Sequence, residues 1–123
     1  MNWEIYGQVE LKVRKSFMTM QELLEMLREK AKDIDVSQAD FMAIQFNIKD
    51  RDPGIFYVEI KDHNISIEPY EYNDRQCAIT MKMDNFVKLI NGKLDAVAAF
   101  TLGKLKVDGD IGKALEFSKL IKK

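Results

Sequence analysis

Residues 81–120, MKMDNFVKLINGKLDAVAAFTLGKLKVDGDIGKALEFSKL, decide the fold of this chain. They predict the end of a strand, two short helices, a strand of five residues and a final helix. Asp84, Asp95 and Asp110 are each placed to cap one of these helices. The helices carry more apolar side chains than packing on one side requires. This surplus favours a protein that holds an apolar molecule over one that converts a polar substrate.

The final helix shows the surplus most clearly. On a helical wheel of about 100° per residue, its apolar and small side chains cover well over half of the circumference. Packing on one side needs a stripe of about 100° or somewhat more. Either part of this helix faces a ligand cavity, or the helix is buried or contacts another molecule, and periodicity alone favours the second reading. The residues concerned are Ile111, Ala114, Leu115, Phe117, Ser118, Leu120 and Ile121.

The preceding residues predict one helix and a run of strands. An apolar stripe from Met20 to Ile34 repeats with helical period, and Thr19 with Glu22 forms a capping box in front of it. Alternating apolar residues then predict strands at residues 42–48, 56–60, 65–67 and 77–83. Short connections imply antiparallel neighbours. We therefore predict an α+β fold with a mainly antiparallel, twisted sheet of about five or six strands covered by helices.

Residues 1–15 form a separate feature. They alternate with strand period, with Trp3, Ile5 and Val9 in one row. A strand of this length exceeds most strands, so Gly7 marks a bulge or a break. Alternatively, this additional N-terminal strand pairs with a neighbouring molecule and makes a homodimer.

Composition limits the class of protein. The 123 residues suit one domain, and 46% hydrophobic with 32% charged residues are typical of a globular domain. The net charge of −1 gives no reason to expect nucleic acid binding. No run of apolar residues is long enough to span a bilayer, so we expect at most transient membrane contact. A single cysteine and the absence of a signal peptide pattern predict a cytoplasmic location.

No motif for catalysis or metal binding is present in the sequence. His63 is the only histidine and lies in a predicted turn, and Cys77 lies in the apolar row of a strand. Gly103-Lys104 lacks the remaining residues of a phosphate-binding loop. We therefore predict no catalytic residue, no metal, no cofactor and no enzymatic activity.

Several segments together resemble the sterol carrier protein family, whose members are also called nonspecific lipid-transfer proteins. They are MKMDNF at 81–86, LINGKLD at 89–95, AAF at 98–100 and GKLKVDGD at 103–110. The match covers about 40 residues in type and spacing, and the order of the earlier helix and strands extends it to about Met18. The resemblance implies a sheet covered by helices, with an apolar tunnel between the layers that accepts fatty acyl chains, sterols or similar lipids.

The resemblance also implies which side chains line the tunnel, and we expect about half of them to touch a ligand. They lie in the last predicted strands and the three helices of the closing third of the chain. The predicted lipid-binding residues are Met81, Met83, Phe86, Leu89, Ile90, Phe100, Leu102, Leu105, Val107, Phe117, Leu120 and Ile121.

Two features depart from the family pattern. The chain ends in Ile121-Lys122-Lys123 rather than in a peroxisomal tripeptide, and residues 1–15 are not part of the pattern. Both fit a prokaryotic, stand-alone relative. We expect lipid binding and transfer by a single domain of residues 1–123, and the alternative is a non-catalytic interaction or dimerisation module of the same fold.

Overall fold

The structure, a computed structural model, describes residues 18–121. The strand predicted for residues 1–15 lies outside them. The described residues form four helices and five strands. In chain order these are α1 (Met20–Ala31), β1 (Met42–Ile48), β2 (Ile55–Lys61), β3 (Asn64–Glu68), β4 (Cys77–Met81), α2 (Met83–Ile90), α3 (Ala96–Thr101), β5 (Leu105–Gly109) and α4 (Ile111–Ile121). The predicted α+β class with a helix-covered sheet is confirmed.

The five strands form one sheet in the order β3-β2-β1-β4-β5. The neighbours β1–β2, β2–β3 and β4–β5 are antiparallel, whereas β1 and β4 are parallel, with Phe46 opposite Ile79. The sheet is therefore mainly antiparallel, as predicted, but the expectation of antiparallel neighbours throughout was wrong at its centre. The reason is the longer connection after β3, which carries the chain back to the start of β1 instead of making a hairpin.

The first helix begins where the sequence predicts. The Glu22 amide donates to Thr19 Oγ1 at 3.1 Å and the Thr19 amide donates to Glu22 Oε1 at 3.0 Å, which completes the capping box. The helix ends at Ala31, earlier than its apolar stripe suggested. Ile34 nevertheless packs against the core from the loop. Periodicity therefore identified the buried side chains more accurately than the end of the helix.

The second helix begins two residues earlier than predicted. Met83, placed in strand β4 from its alternation, is the first residue of α2, and Lys82 rather than Asp84 is its N-cap. The Met83 amide instead donates to Asp50 Oδ1 at 2.8 Å. A side chain distant in sequence thus replaces the local cap. The predicted caps Asp95 and Asp110 are confirmed, because each accepts a hydrogen bond from an amide of its own helix.

The core lies between the helices and one face of the sheet. Four aromatic rings pack together at its centre, where Phe46 stacks on Phe56 with 4.9 Å between ring centroids and an angle of 9°. Phe86 of α2 and Phe117 of α4 contact Phe46 at 5.2 and 5.1 Å. All four rings are buried. Each of the helices α2 and α4 therefore contributes one ring to the aromatic cluster that packs on the sheet.

Glycine is required at the end of β5. Gly109 has a φ of 105°, which disfavours any side chain, and a Cβ there would lie 2.6 Å from the Gln76 carbonyl oxygen. The close approach lets the Asp110 amide donate to the same carbonyl at 3.0 Å. Helix α4 thus starts directly at the sheet and must return across its apolar face.

Candidate functional site

An apolar cavity of about 120 Å³ lies between the β4–β5 side of the sheet and helices α3 and α4. Strands β4 and β5 supply its floor, α3 one wall and α4 the other. Helix α2 contributes a single side chain. The lining residues are Ile79, Leu89, Ala96, Val97, Phe100, Leu105, Val107, Ile111, Ala114, Leu115, Phe117 and Ser118.

The cavity offers a ligand no charged group. Ser118 is the one lining residue with a polar side chain, and its hydroxyl donates to the Leu115 carbonyl at 2.9 Å within α4. A buried hydroxyl that is already hydrogen-bonded gives little reason for a polar ligand to enter. The lining is therefore suited to hydrocarbon and unsuited to a group that needs solvation.

A second, smaller apolar cavity of about 20 Å³ lies on the other side of α4. It is enclosed by the end of α1, the loop after it, strands β2 and β3, and α4. Phe117 is the one residue that lines both cavities. The residues of the smaller cavity are Leu27, Ala31, Ile34, Val58, Ile60, Ile65, Ile67, Phe117, Leu120 and Ile121.

Two larger depressions are surface grooves with charged side chains in their walls. One, of about 420 Å³, lies between α1 and β3 and includes Arg28 and Lys32. These cations already face acids, because Arg28 lies 3.3 Å from Glu68 and Lys32 lies 3.0 Å from Glu29. The other, of about 290 Å³, lies between the loop before β1 and α4. Neither encloses an apolar volume comparable to the cavity beside α3.

The predicted lipid-binding residues fall into four places. Leu89, Phe100, Leu105, Val107 and Phe117 line the larger cavity, and Phe117, Leu120 and Ile121 line the smaller one. Met81, Met83, Phe86 and Ile90 are buried in the packed core and line neither cavity. Leu102 is exposed over 68% of its surface and also lies outside both linings.

The prediction did not include seven residues that line the larger cavity. Four of them, Ile111, Ala114, Leu115 and Ser118, repeat at i, i+3, i+4 and i+7 along α4, a signal that was visible in the sequence. Ile79 lies in the same apolar row of β4 as Met81, so the sequence could also have identified it. Ala96 and Val97 had no such signal, because a helix of six residues is too short to define an apolar stripe.

The titratable groups of the described residues do not gather into a site. No group of three or more His, Cys, Asp or Glu side chains within residues 18–121 has the geometry of a metal site. His63 lies exposed in the β2–β3 turn. Cys77 is 1% exposed, as predicted, and burial together with the Asp110 carboxylate raises the pKa of its thiol to about 11. A hydrogen bond to Glu59 raises the pKa of Tyr72 to about 12 on the other face of the sheet.

Comparison with known proteins identifies the family. Residues 18–122 match the SCP-2 sterol transfer family. The chain belongs to this family. The resemblance seen in the sequence is thereby confirmed, and it extends over all of the described residues.

Three proteins illustrate what this chain is similar to. The chain is 30% identical over 117 residues to mouse (Mus musculus) hydroxysteroid dehydrogenase-like protein 2, which covers 94% of this chain but only 24% of that protein. Palmitated SCP2L2 from Aedes aegypti has a TM-score of 0.65 and 17% identity, and the match covers 86% of this chain and 96% of that one. The sec-alkylsulfatase Pisa1 from Pseudomonas sp. has a TM-score of 0.66 and 18% identity, with 73% of this chain and 14% of that chain covered.

The comparisons establish the family and the fold, and not the activity of a whole protein. This chain spans about a quarter of the mouse protein's length, so the activity of that protein as a whole is not transferred with the match. The likenesses to the insect protein and to the sulfatase, both below 25% identity, establish a shared fold. Within the described residues, no helix is long and apolar enough to cross a membrane.

Proposed function

We propose that this protein binds the hydrocarbon part of a lipid in the cavity between β4, β5, α3 and α4, and transfers it without chemical change. The observation that carries the proposal is the lining itself, in which the one polar side chain, Ser118, is already hydrogen-bonded within its helix. Membership of a sterol transfer family supports lipid binding in general. The lining favours a fatty acyl chain or another flexible apolar tail.

The size of the cavity determines how binding must proceed. Each buried methylene contributes about 0.8 kcal/mol, so micromolar affinity needs roughly ten of them before the costs of association. The cavity of about 120 Å³ is smaller than the roughly 300–1,000 Å³ of most ligand sites. An acyl chain of that length therefore requires α4 to move away from the sheet. Because α4 separates the two cavities, such a movement enlarges both.

Relatives support a mobile apolar ligand without naming it for this protein. The insect relative with the same fold is described as palmitated, which supports an acyl chain. The family description supports a sterol. An apolar lining gives weak selection among tails of similar length, because no directed hydrogen bond distinguishes them.

The experiment tests the site by filling the cavity with a larger side chain from its α4 wall. In α4, Ala114→Phe places a ring in the cavity, whereas Ala98→Phe places the same ring on the exposed side of α3. Titration with a fluorescent fatty acid should show binding weakened about tenfold or more by the first substitution and unchanged by the second. Thermal unfolding and far-ultraviolet circular dichroism confirm that both variants fold.

Unaltered uptake by a folded Ala114→Phe variant would contradict the proposed site. A charged substitution at Phe117 is a poorer test, because its ring contacts Phe46 at 5.1 Å and its loss disturbs the core. Gentle extraction of the purified protein, followed by mass spectrometry, identifies the lipid class that it carries.

A second candidate is an interaction module of the same fold. It is favoured by the mouse relative, in which the matched region is 24% of a longer protein. Under that reading the chain of 123 residues associates through the strand predicted at 1–15. Its mass as a function of concentration, with and without these residues, separates the two candidates.

The same proposal includes a non-catalytic domain and a cytoplasmic location. The apolar lining supports the first point, since it presents no nucleophile or acid–base pair to a ligand. The single cysteine, buried and unpaired, supports a reducing compartment.

A further inference from the structure

The two edges of the sheet differ in what their backbone groups meet. At the β3 edge, the Ile67 carbonyl points outward and accepts hydrogen bonds from Arg28 Nε at 3.0 Å and Nη2 at 2.6 Å. At the other edge, β5 has β4 as its only neighbouring strand among the described residues. A side chain thus closes part of the β3 edge, and β5 offers the more open edge.

The outward-facing backbone groups of β5 belong to alternate residues. The Asp110 amide donates to the Gln76 carbonyl at 3.0 Å. In an antiparallel pair every second residue bonds to its neighbour, so Asp108 and Lys106 bond to β4 in the same way. The amide and carbonyl groups between them point away from β4 and can pair with one more strand. The outward-facing residues are Leu105, Val107 and Gly109.

The open edge lies beside the mouth of the larger cavity. Leu105 and Val107 line the cavity from this edge strand. In the described part of the chain, seven large apolar side chains are exposed, and four of them also line this cavity. A strand added to β5 therefore meets apolar side chains on the face of the sheet that carries the cavity. The four are Val97, Phe100, Ile111 and Leu115.

Residues 1–15 have the pattern that such a strand needs. One row of their alternation is apolar and the other is polar. A strand of this kind buries its apolar row and leaves its polar row in water. The apolar row is Trp3, Ile5, Val9, Leu11 and Val13, with Gly7 in the same row.

The chain enters the described part at the end of the sheet where β5 begins. The Met18 carbonyl accepts a hydrogen bond from Arg51 Nε at 2.9 Å. Arg51 follows β1 at the end where Met81 lies opposite Leu105, the first residue of β5. A strand that runs into this end alongside β5 is antiparallel to it. The position beyond β5 lies three strand spacings from β1, about 14 Å, which residues 12–17 can span at about 3.3 Å each.

Charge and side-chain size select one register for this pairing. It places Glu10 opposite Lys106, and opposite charges at directly facing positions are favourable. Only shifts by an even number of residues keep the apolar row on the cavity side. A shift by two residues brings Glu10 opposite Asp108 in one direction and Gly7 opposite Val107 in the other. The first repels, and the second leaves a gap in the apolar row.

We propose that residues 1–15 of this chain add to β5 as an antiparallel strand, with Val9 opposite Val107, and cover the mouth of the larger cavity. Their apolar row continues the cavity floor at one end and reaches the exposed side chains of α4 at the other. The segment comes from the same molecule, because its attachment at Met18 gives it a high effective concentration at this edge. The chain thus supplies its own lid.

A disulfide tests the pairing in the full chain. Glu10→Cys with Lys106→Cys places two thiols opposite each other, and mild oxidation should link them within one molecule in most of the protein. Glu10→Cys with Ser66→Cys is the matched control, because Ser66 lies in the polar row of the other edge strand, β3. Cys77 is 1% exposed and should not take part. Electrophoresis without reductant and peptide mass spectrometry identify the link.

Three results of this experiment would overturn the proposal. The first is no link between positions 10 and 106. The second is equal linking in the control, which shows a segment paired with neither edge. The third is a link between two molecules, which assigns the β5 edge to the segment of a second copy.

Amide hydrogen exchange, measured by NMR, reports the same pairing without new cysteines. The Val107 amide should be protected in the unaltered protein, because it donates to the Val9 carbonyl. Val9→Pro removes the amide that donates in return and should speed exchange at Val107 about tenfold or more. Gln8→Pro is the control, since the Gln8 amide points to solvent in this register. Equal exchange at Val107 in the unaltered protein and in Val9→Pro would contradict the pairing.

The effect of the lid on lipid uptake rests on the proposed function, and the two fail separately. In oxidised Glu10→Cys with Lys106→Cys, uptake of a fluorescent fatty acid should be slowed about tenfold, and reductant should restore it. Equal uptake before and after reduction would show that the strand does not cover the mouth. If the unaltered protein binds no fatty acid while the disulfide and exchange results hold, the strand is confirmed and the lipid-carrier function is wrong.

Discussion

The centre of the core and the corner beside α3 are both apolar, but only the centre is closed. At the centre, Phe46 stacks on Phe56 and contacts Phe86 and Phe117, and none of the four rings is more than 5% exposed. At the corner, Val97 is 57% exposed and Phe100 is 46% exposed. Polarity does not distinguish the two regions. The volume of their side chains does.

The corner remains open because its helix is short and built from small residues. Helix α3 has the sequence AVAAFT, in which Ala96 and Ala99 face the interior. Alanine fills little space at these buried positions, which leaves a gap between α3, the sheet and α4. The comparison teaches that a cavity can be encoded by small side chains at buried positions without any change in hydrophobic pattern.

The largest expected effect is a loss of stability when a cavity is made in the closed centre of the core. Phe46→Ala should lower the free energy of unfolding by about 3–5 kcal/mol, because the ring contacts three others in a packed centre. Phe100→Ala, at the already open corner, should cost about 1 kcal/mol. Urea unfolding of both variants measures the difference. Equal losses would show that the corner is as tightly packed as the centre.

A smaller effect is expected at the boundary between the two cavities. Phe117→Leu should connect them and let longer fatty acids gain affinity, by about 0.8 kcal/mol for each added methylene. Calorimetric titration with fatty acids of increasing length measures this dependence. Phe86→Leu is the control, because Phe86 belongs to the same aromatic cluster but lines neither cavity. If affinity stops rising at the same fatty acid length in the unaltered protein and in both variants, Phe117 does not limit tail length.

A third effect is expected only at high pH, at the closed end of the open corner, where Cys77 pairs with Gly109. The pKa of the Cys77 thiol is about 11 in the folded protein against an ordinary value of 9.0, so the folded state retains its proton to higher pH. Stability should be unaffected below pH 9.0 and should fall as pH rises between 9.0 and about 11. Unfolding in urea at increasing pH measures the fall.

The reactivity of the same thiol checks the cause. A thiol-modifying disulfide reagent at mildly alkaline pH should react slowly with the folded protein and rapidly with the unfolded one. Asp110→Asn should lower the pKa of Cys77, because the Asp110 carboxylate disfavours the thiolate. Rapid reaction of the folded protein would show that water reaches this end of the corner.

Local sequence patterns predicted most of the helices and strands. The predictions that were wrong share one cause, because each depended on a contact between residues distant in sequence. The capping box at Thr19 and the cap at Asp95 depend on residues three positions apart and were identified correctly. The start of α2 depends on Asp50, which lies 33 positions before Met83, and was misplaced. The parallel pairing of β1 with β4 likewise joins segments distant in sequence.

The sequence by itself determined the class of fold, the family, the buried rows and the apolar nature of the site. The class of fold, the buried rows and the apolar character follow from periodicity and composition, whereas the family follows from the resemblance of the segments between residues 81 and 110 to a known family. Only the tertiary structure decided that Leu105 lines a cavity, that Met83 fills the core and that Leu102 lies on the surface. Whether an apolar side chain meets a neighbour, a void or solvent depends on how the volumes of distant residues combine, and no local pattern contains that sum.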